Sequence, residues 1–500
     1  MSESAAPRLA AALLCIALFA GEARAQQPDT SLSLDRAISI AVLNNPDHLS
    51  IQNNEAAAAW GVRAAYGAFL PRADVFTGFN YQGAGDNRVG GVSLGETPSF
   101  LISDYSLALR MGVNGATFFG VGEARASERA ASAETDASRF LLVSGVTQQY
   151  IAVLRARDGL DLARQEAERA EQNLALARAR VEVGAAIPLE RMQAEVERGR
   201  AAVEVERAAN LLKTEKLRLA QELGVSLDLD TELSTSFQVF DPTWTSEQLV
   251  GLAIDANPTL RAARARHSAS RKTVRSAQSG YLPSFDVSVR WSGFAREATD
   301  PASLISGARN SAANTRENCL LFNSISEGLT EPLNGFPLDC TGLAFTPADE
   351  ASLRSANNVF PFNYTSQPLE ARFQVSLPLF QGFAQKQRVE QAQANARDAE
   401  HRVRAQELQL RTDVVSAHES LLTARRIVAI EEQNREQAAE QLRLERERYR
   451  LGATSFVDLL NAETLRAQAD RSYLTALYDF HAALASLEAA VGRRLAETAD

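Results

Sequence analysis

From residue 383 to residue 450 the chain carries neither glycine nor proline, and its apolar positions recur at three- and four-residue steps. Val403, Leu410, Val414, Ala417, Leu421, Ala424, Ile427 and Val428 follow that step, with Arg, Glu and Gln between them. The period predicts a helix, and at 1.5 Å per residue a rod of about 100 Å. A second rod is predicted at 116–182, interrupted only by Gly120, Gly122, Gly145 and Gly159. Shorter helices are predicted at 188–223 and 456–491. Four other stretches alternate with a period of two, which predicts strands with one apolar and one polar face. Phe285, Val287, Val289 and Trp291 alternate with polar neighbours, as do Phe373, Val375 and Leu377. Tyr105, Leu107, Leu109, Met111 and Val113 repeat the pattern; in 73–82 Phe76 breaks it.

The chain also resembles itself. LDRAISIAVLNNP, ending at Pro46, echoes LVGLAIDANP, ending at Pro258, and GAFLP at 67–71 echoes SGYLP at 279–283. Both proline pairs lie 212 residues apart. Gly184 and Gly224 find counterparts 268 residues on, at Gly452 and Gly492, so the second copy holds 56 extra residues. Two stable offsets argue for an internal duplication. The expected organisation is a signal peptide (1–25), a first repeat (26–224), a linker (225–246), a second repeat (247–492) and a short tail (493–500). The first repeat holds a strand pair within 72–113. The second holds strands at 284–294 and 370–380, with the surplus as a long outward loop at 296–369.

The N-terminus fits an export signal. Arg8 precedes an apolar run from Leu9 to Ala20, and Ala23-Arg24-Ala25 is a small-x-small cleavage site. Leu14 before Cys15 is too large for a lipobox, so Cys15 is expected to leave with the signal. No later stretch is apolar over the ~20 residues that a spanning helix needs. A membrane is then crossed by a β-barrel or not at all. Strands of ~10 residues suit a barrel, but four cannot close one, and an open edge cannot sit in hydrocarbon. Chains must therefore pool strands. Two copies give eight strands and a filled interior, and three give twelve and room for a channel.

Composition narrows the function. A net charge of −10 without a dense Lys/Arg stripe argues against nucleic acid. Three cysteines and five scattered histidines offer no metal-ligand spacing, and no cofactor or metal is expected. His48, His267, His401, His418 and His481 read as packing or surface residues. Gly91-Val92-Ser93-Leu94-Gly95 matches G-x-S-x-G, but a nucleophile elbow needs a strand before it and a helix after it. Gly120-Val121-Gly122 lacks the third glycine of a dinucleotide fingerprint. No enzyme is expected.

The signal peptide, the duplicated helix–hairpin–rod–turn–helix order and the paired NNP/NP and FLP/YLP signatures together resemble the TolC-type outer-membrane efflux family, over about 33–492. The resemblance implies an α+β membrane protein: a homotrimeric 12-stranded β-barrel in outer-membrane lipid, four strands per chain, continued by a long α-helical coiled-coil tunnel in the periplasm. It implies a duct for efflux or type I secretion, working with a periplasmic adaptor and a proton-driven or ATP-driven inner-membrane pump. A non-transporting coiled coil across the periplasm is the alternative. Within the resemblance, Val183 and Gly184 with Leu451 and Gly452 are the adaptor-docking tips. Tyr449 bonded to Glu190 is the gate latch, and Asp458 is a ring of charge at the entrance. Asn461 stands where a second aspartate is expected, and Thr454 where a basic residue is expected; both weaken the family's network. Outside the cell thiols pair, so Cys319 and Cys340 of the long loop are expected to form a disulfide.

Overall fold

The computed structural model describes residues 31–495, the side chains of residues 87 and 93–96 excepted. The signal peptide, Cys15 and the last five residues lie outside the described residues. The chain forms two compact units. The first comprises the described residues up to 59, 126–270 and from 395 onward; the second comprises 60–125 and 271–394.

The first unit is helical. Helix α1 (Leu34–Asn44) is followed at once by α2 (Pro46–Gly67), which continues into the second unit. Helices α3 (Gly115–Glu182) and α4 (Pro188–Leu223) form one long hairpin. After a linker, α5 (Ser246–Ala256) and α6 (Pro258–Gln278) repeat the first pair. A single asparagine, Asn45 in the first pair and Asn257 in the second, separates these short helices, each followed at once by a proline, and each asparagine does two jobs. The Asn45 side-chain oxygen accepts from the backbone N–H of Asp47 and His48, each at 3.1 Å, which caps α2. Its amide donates to the Glu222 carbonyl at 2.9 Å, near the end of α4. Asn257 likewise caps α6 through the Leu260 N–H and donates to the Ala490 carbonyl at 3.0 Å. Gly224 and Gly492 end the returning helices at φ +70° and +91°. A Cβ on Gly224 would come within 2.4 Å of the Asn44 carbonyl oxygen, and one on Gly492 within 2.6 Å of Asn257 Cα. Only glycine permits both the turn and the approach.

The apolar stripes of these helices bury three separate cores. Tyr150, Leu154, Leu219 and Leu223 centre one. Leu260, Leu421, Phe480 and Leu487 centre the second, and Leu174, Tyr449, Phe456 and Leu459 the third. Buried histidines serve packing. His418 bonds Ser246 Oγ at 2.9 Å and the Trp244 carbonyl at 3.1 Å. His481 stacks among Phe237, Tyr478 and Phe480, and burial lowers its pKa to about 4.

The second unit is built on an antiparallel sheet. It contains β1 (Arg72–Gln82), a hairpin of β2 (Gly85–Val89) and β3 (Val92–Thr97), then β4 (Phe100–Val113) and β5 (Ser284–Ala298). Beyond helices α7 (Ala302–Glu327) and α8 (Pro347–Asn357) come β6 (Thr365–Ser366) and β7 (Glu370–Ser376). The spatial order is β1-β4-β5, with β6 and β7 both paired to the far side of β5. Register aligns the period-two pattern across the sheet. Val75 lies opposite Leu107, and Leu107 opposite Trp291. Met111 lies opposite Val287, and Val287 opposite Phe373; Val113, Phe285 and Val375 form a third row. The other face carries Asp74, Arg110 and Ser288 with Arg372, and Asp74 pairs with Arg110 at 3.3 Å. A single chain leaves the apolar face uncovered: Val75 is 79% exposed, Trp291 55% and Phe373 66%.

Several expectations are corrected. Strand β4 begins at Phe100 rather than 105, and β5 runs to Ala298 rather than 294 because the two remain paired to their ends. Strand β7 stops at Ser376 rather than 380, and Pro378 two residues on has no N–H for a ladder. The segment expected to be a loop is largely helical. Residues 308–327 hold neither Gly nor Pro, and α7 spans 26 residues. Helix α8 opens with a capping box of Thr346 and Asp349. Cys319 and Cys340 are bonded to each other, with 5.9 Å between their Cα atoms. Asn357 ties the insertion to the sheet through both backbone groups of Ala298, each bond 2.9 Å. The G-x-S-x-G look-alike sits at the β2–β3 turn and runs into a strand, without the helix an elbow requires. Helix α3 continues through all four of its interior glycines. No described helix is long and apolar enough to cross a membrane.

Candidate functional site

The last long helices, α9 (Ala384–Arg450) and α10 (Phe456–Val491), form a second hairpin like that of α3 and α4. Each hairpin turns on a glycine at φ +74°, Gly184 in one and Gly452 in the other. The turns share a backbone pattern. The Ala185 N–H donates to the Arg180 carbonyl, and the Ala453 N–H to the Arg448 carbonyl, both at 2.8 Å. These are orphan carbonyls at a helix end, satisfied by a left-handed glycine cap. Val183 and Leu451 project into solvent, 78% and 83% exposed, and Ile187 and Leu189 lie beside Val183 in sequence, also exposed.

The tips share one core. Leu174 and Ala177 of α3, Ala194 of α4, Leu442 and Tyr449 of α9, and Phe456, Leu459 and Ala462 of α10 pack together. The Tyr449 side chain crosses between the hairpins, and its hydroxyl donates to Glu190 Oε2 at 2.9 Å. Burial, then the Glu190 carboxylate, pushes the phenol up to about 12, so it is a neutral donor at any physiological pH. Arg180, in the last turn of α3, donates from Nη1 to the Tyr449 carbonyl at 2.9 Å, with its guanidinium carbon 4.1 Å from the ring centroid.

Asp458 has a different neighbourhood from the one expected. It is the third residue of α10, where its Oδ2 accepts from Ser455 Oγ at 2.7 Å, from Thr454 Oγ1 at 3.0 Å and from the Ser455 N–H at 3.2 Å. The Ser455 hydroxyl bond, then that of Thr454, holds the carboxyl below its usual range, and the group stays exposed and anionic. Asn461, one turn on, is exposed. Tyr449 and Glu190 are thus brought together, and so are Thr454 and Asp458. Residue-by-residue reading missed the capping role of Asp458 and the contact of Arg180. The visible signal for Arg180 was an arginine four residues before each turning glycine, at 180 and at 448.

Further from the tips, α3 and α10 are joined by charge. Asp470 is buried among Arg466 at 2.7 Å, Arg435 at 3.1 Å and Arg169 at 3.9 Å. Arg471 pairs with Glu166 at 3.2 Å, and burial raises the Glu166 carboxyl above its usual range. The Tyr478 hydroxyl donates to Asp158 at 2.5 Å. Desolvation offsets much of the Coulombic gain of such pairs, so they are weak evidence of stability by themselves. Among the described residues no group of His, Cys, Asp and Glu could hold a metal ion.

Comparison with known proteins follows the same architecture. The family model described as "Outer membrane efflux protein" matches residues 37–225 and 346–493. The curated relative "Outer membrane protein TolC" of Vibrio cholerae is 26% identical over 248 residues, which cover 49% of this chain and 54% of that one. The match therefore spans about half the length of that relative. Two solved structures share the fold. One is a membrane protein from Pseudomonas aeruginosa, with a TM-score of 0.66 and 20% identity, covering 93% of this chain and 91% of that one. The other is the outer membrane protein VceC of Vibrio cholerae, with a TM-score of 0.66 and 15% identity, covering 92% and 96%. The chain belongs to the outer membrane efflux protein family, and it is an outer-membrane protein that extends into the periplasm.

Proposed function

We propose that this chain is the outer-membrane duct of a tripartite efflux or type I secretion system. It is a passive conduit whose energy comes from an inner-membrane pump. The observation that carries the reading is the antiparallel sheet, whose four longer strands β1, β4, β5 and β7 are apolar on one face and polar on the other, with the outer edges of β1 and β7 unpaired among the described residues. In hydrocarbon every backbone polar group needs a partner, so such edges must be closed by further copies. Three copies give twelve strands, a barrel wide enough for cargo, with the apolar face toward lipid. The paired hairpins, read as the products of an internal duplication, build a helical tunnel. Their tips, with exposed Val183 and Leu451, dock a periplasmic adaptor.

In this reading the Tyr449–Glu190 bond is the latch that keeps the tips together. Three copies of Asp458 line the entrance with negative charge and favour cations. Asn461 adds none, so cation block at this entrance is weaker than two acidic rings would give. The helical insertion carrying the Cys319–Cys340 bond stands at the outer mouth.

The test is reconstitution in planar bilayers. The purified protein is expected to need detergent, to run as a heat-modifiable trimer and to form channels. Tyr449→Phe removes the phenol donor and raises single-channel conductance. A monomer that dissolves in plain buffer and never conducts would overturn the duct and leave a periplasmic tether. Conductance unchanged by Tyr449→Phe would take the latch out of the gate.

A further inference from the structure

We propose that Arg180 is the positioning residue of the gate, holding Tyr449 in the geometry from which its hydroxyl reaches Glu190. The inference rests on the latch reading above and adds a residue to it.

Three contacts converge on one guanidinium. Nη1 donates to the Tyr449 carbonyl at 2.9 Å, Nη2 donates to the Ala185 carbonyl at 3.4 Å, and the guanidinium carbon lies 4.1 Å from the Tyr449 ring centroid. The Tyr449 carbonyl belongs to the last turn of α9, where helical partners run out. It also accepts from the Gly452 N–H at 3.1 Å, so both of its acceptor sites are filled. A cation there lies at the negative end of α9 and is favoured by its dipole. The same cation faces the ring. Backbone and side chain of Tyr449 are thus fixed from one point, itself anchored to the turn of the opposite hairpin. Lysine, a point charge without a planar fork, cannot supply two divergent donors and a stacking plane together.

The equivalent arginine of the other hairpin does not do this. Arg448 pairs with Glu445 of its own helix at 2.7 Å. Three residues before its turning glycine the first hairpin has Val181, where the second has Tyr449, so no phenol is available for a reciprocal tie. The cross-tie runs in one direction only, from the first hairpin to the second.

The experiment is a conductance cycle on the full-length protein, with trimers verified on unheated gels. Arg180→Ala is expected to raise the open fraction ~5-fold, the change that loss of a half-buried cation–π contact carries. Arg180→Lys, which keeps the charge and loses the fork, should fall between. Arg180→Ala added to Tyr449→Phe should change nothing further, because Arg180 acts through the phenol. Three results overturn the proposal: an unchanged open fraction in both Arg180 variants, equal effects of Ala and Lys, or additivity with Tyr449→Phe. If Tyr449→Phe alone has no effect, the latch itself fails and this proposal falls with it. An effect of Tyr449→Phe without one of Arg180→Ala discards Arg180 and leaves the latch standing. Should Arg180→Ala fail to assemble, the Lys variant decides by the same cycle.

Discussion

The two hairpin turns reach the same backbone by different side chains. Gly184 and Gly452 share φ +74°, and both helices that follow have 36 residues. At the third position of each following helix stands an acid, Glu190 or Asp458. What separates them is the residue three places before. Ser455 caps α10, and Asp458 closes a capping box with it. Ile187 caps α4 with no side-chain bond, and Pro188 follows. Asp458 is therefore consumed locally, whereas Glu190 is left to reach Tyr449. One residue at the cap decides whether the acid serves its own helix or a neighbour. The backbone of a turn can be conserved by glycine alone while its side chains diverge in purpose.

The largest test of that comparison is at the glycines. A Cβ on either meets nothing within 4 Å, so the only penalty is the left-handed backbone. Gly184→Val and Gly452→Val should each destabilise by about 2 kcal/mol, and by equal amounts in thermal melts of the purified protein. Unequal losses would mean that the turns are not equivalent. Ser455→Ala comes next, at about 1 kcal/mol for a lost cap, while Ile187→Ala removes no cap bond. Ser455→Ala should also flatten the acid limb of stability. The Asp458 carboxyl is held low in the folded chain, so its contribution is present above the ordinary carboxylate range and disappears as pH falls through the lowered value. An acid limb that is the same in the variant removes the capping box from that account. The smallest effect is expected for Ile187→Ser. It offers Glu190 a cap partner, competes with Tyr449, and should raise conductance by less than Tyr449→Phe does. No change would show that the cap residue does not direct the acid.

Most of the helical part was readable from the chain. The turning glycines Gly184 and Gly452 and the capping glycines Gly224 and Gly492 bracket 188–223 and 456–491 at their observed ends, because helix limits here are set by local chemistry. The strands were found but mis-sized. Alternation weakens at Ser103 and Gly293, and pairing between β4 and β5, a non-local property, carries them past it. The insertion misled through its composition: Asn and Ser suggest turns, yet α7 is held by Cys319, Asn323 and Ser326 to the segment after it. At the tips Tyr449 and Glu190 were legible by resemblance to the family. The Arg180 contact was not, since nothing in a one-dimensional string says which of two equivalent arginines turns outward to the other hairpin.

The unpaired margins of β1 and β7 bear on cells that make several related chains. A strand margin presents main-chain groups that are alike in every sibling. Hydrogen bonding there rewards any newcomer of matching length and tilt. In the proposed barrel, refusal of the wrong sibling must come from side chains where β1 and β7 would meet, such as Arg72 and Asp74 on one flank and Glu370 and Arg372 on the other. Exchanging the signs on one flank alone should scramble subunit choice before it disturbs the folding of any single subunit.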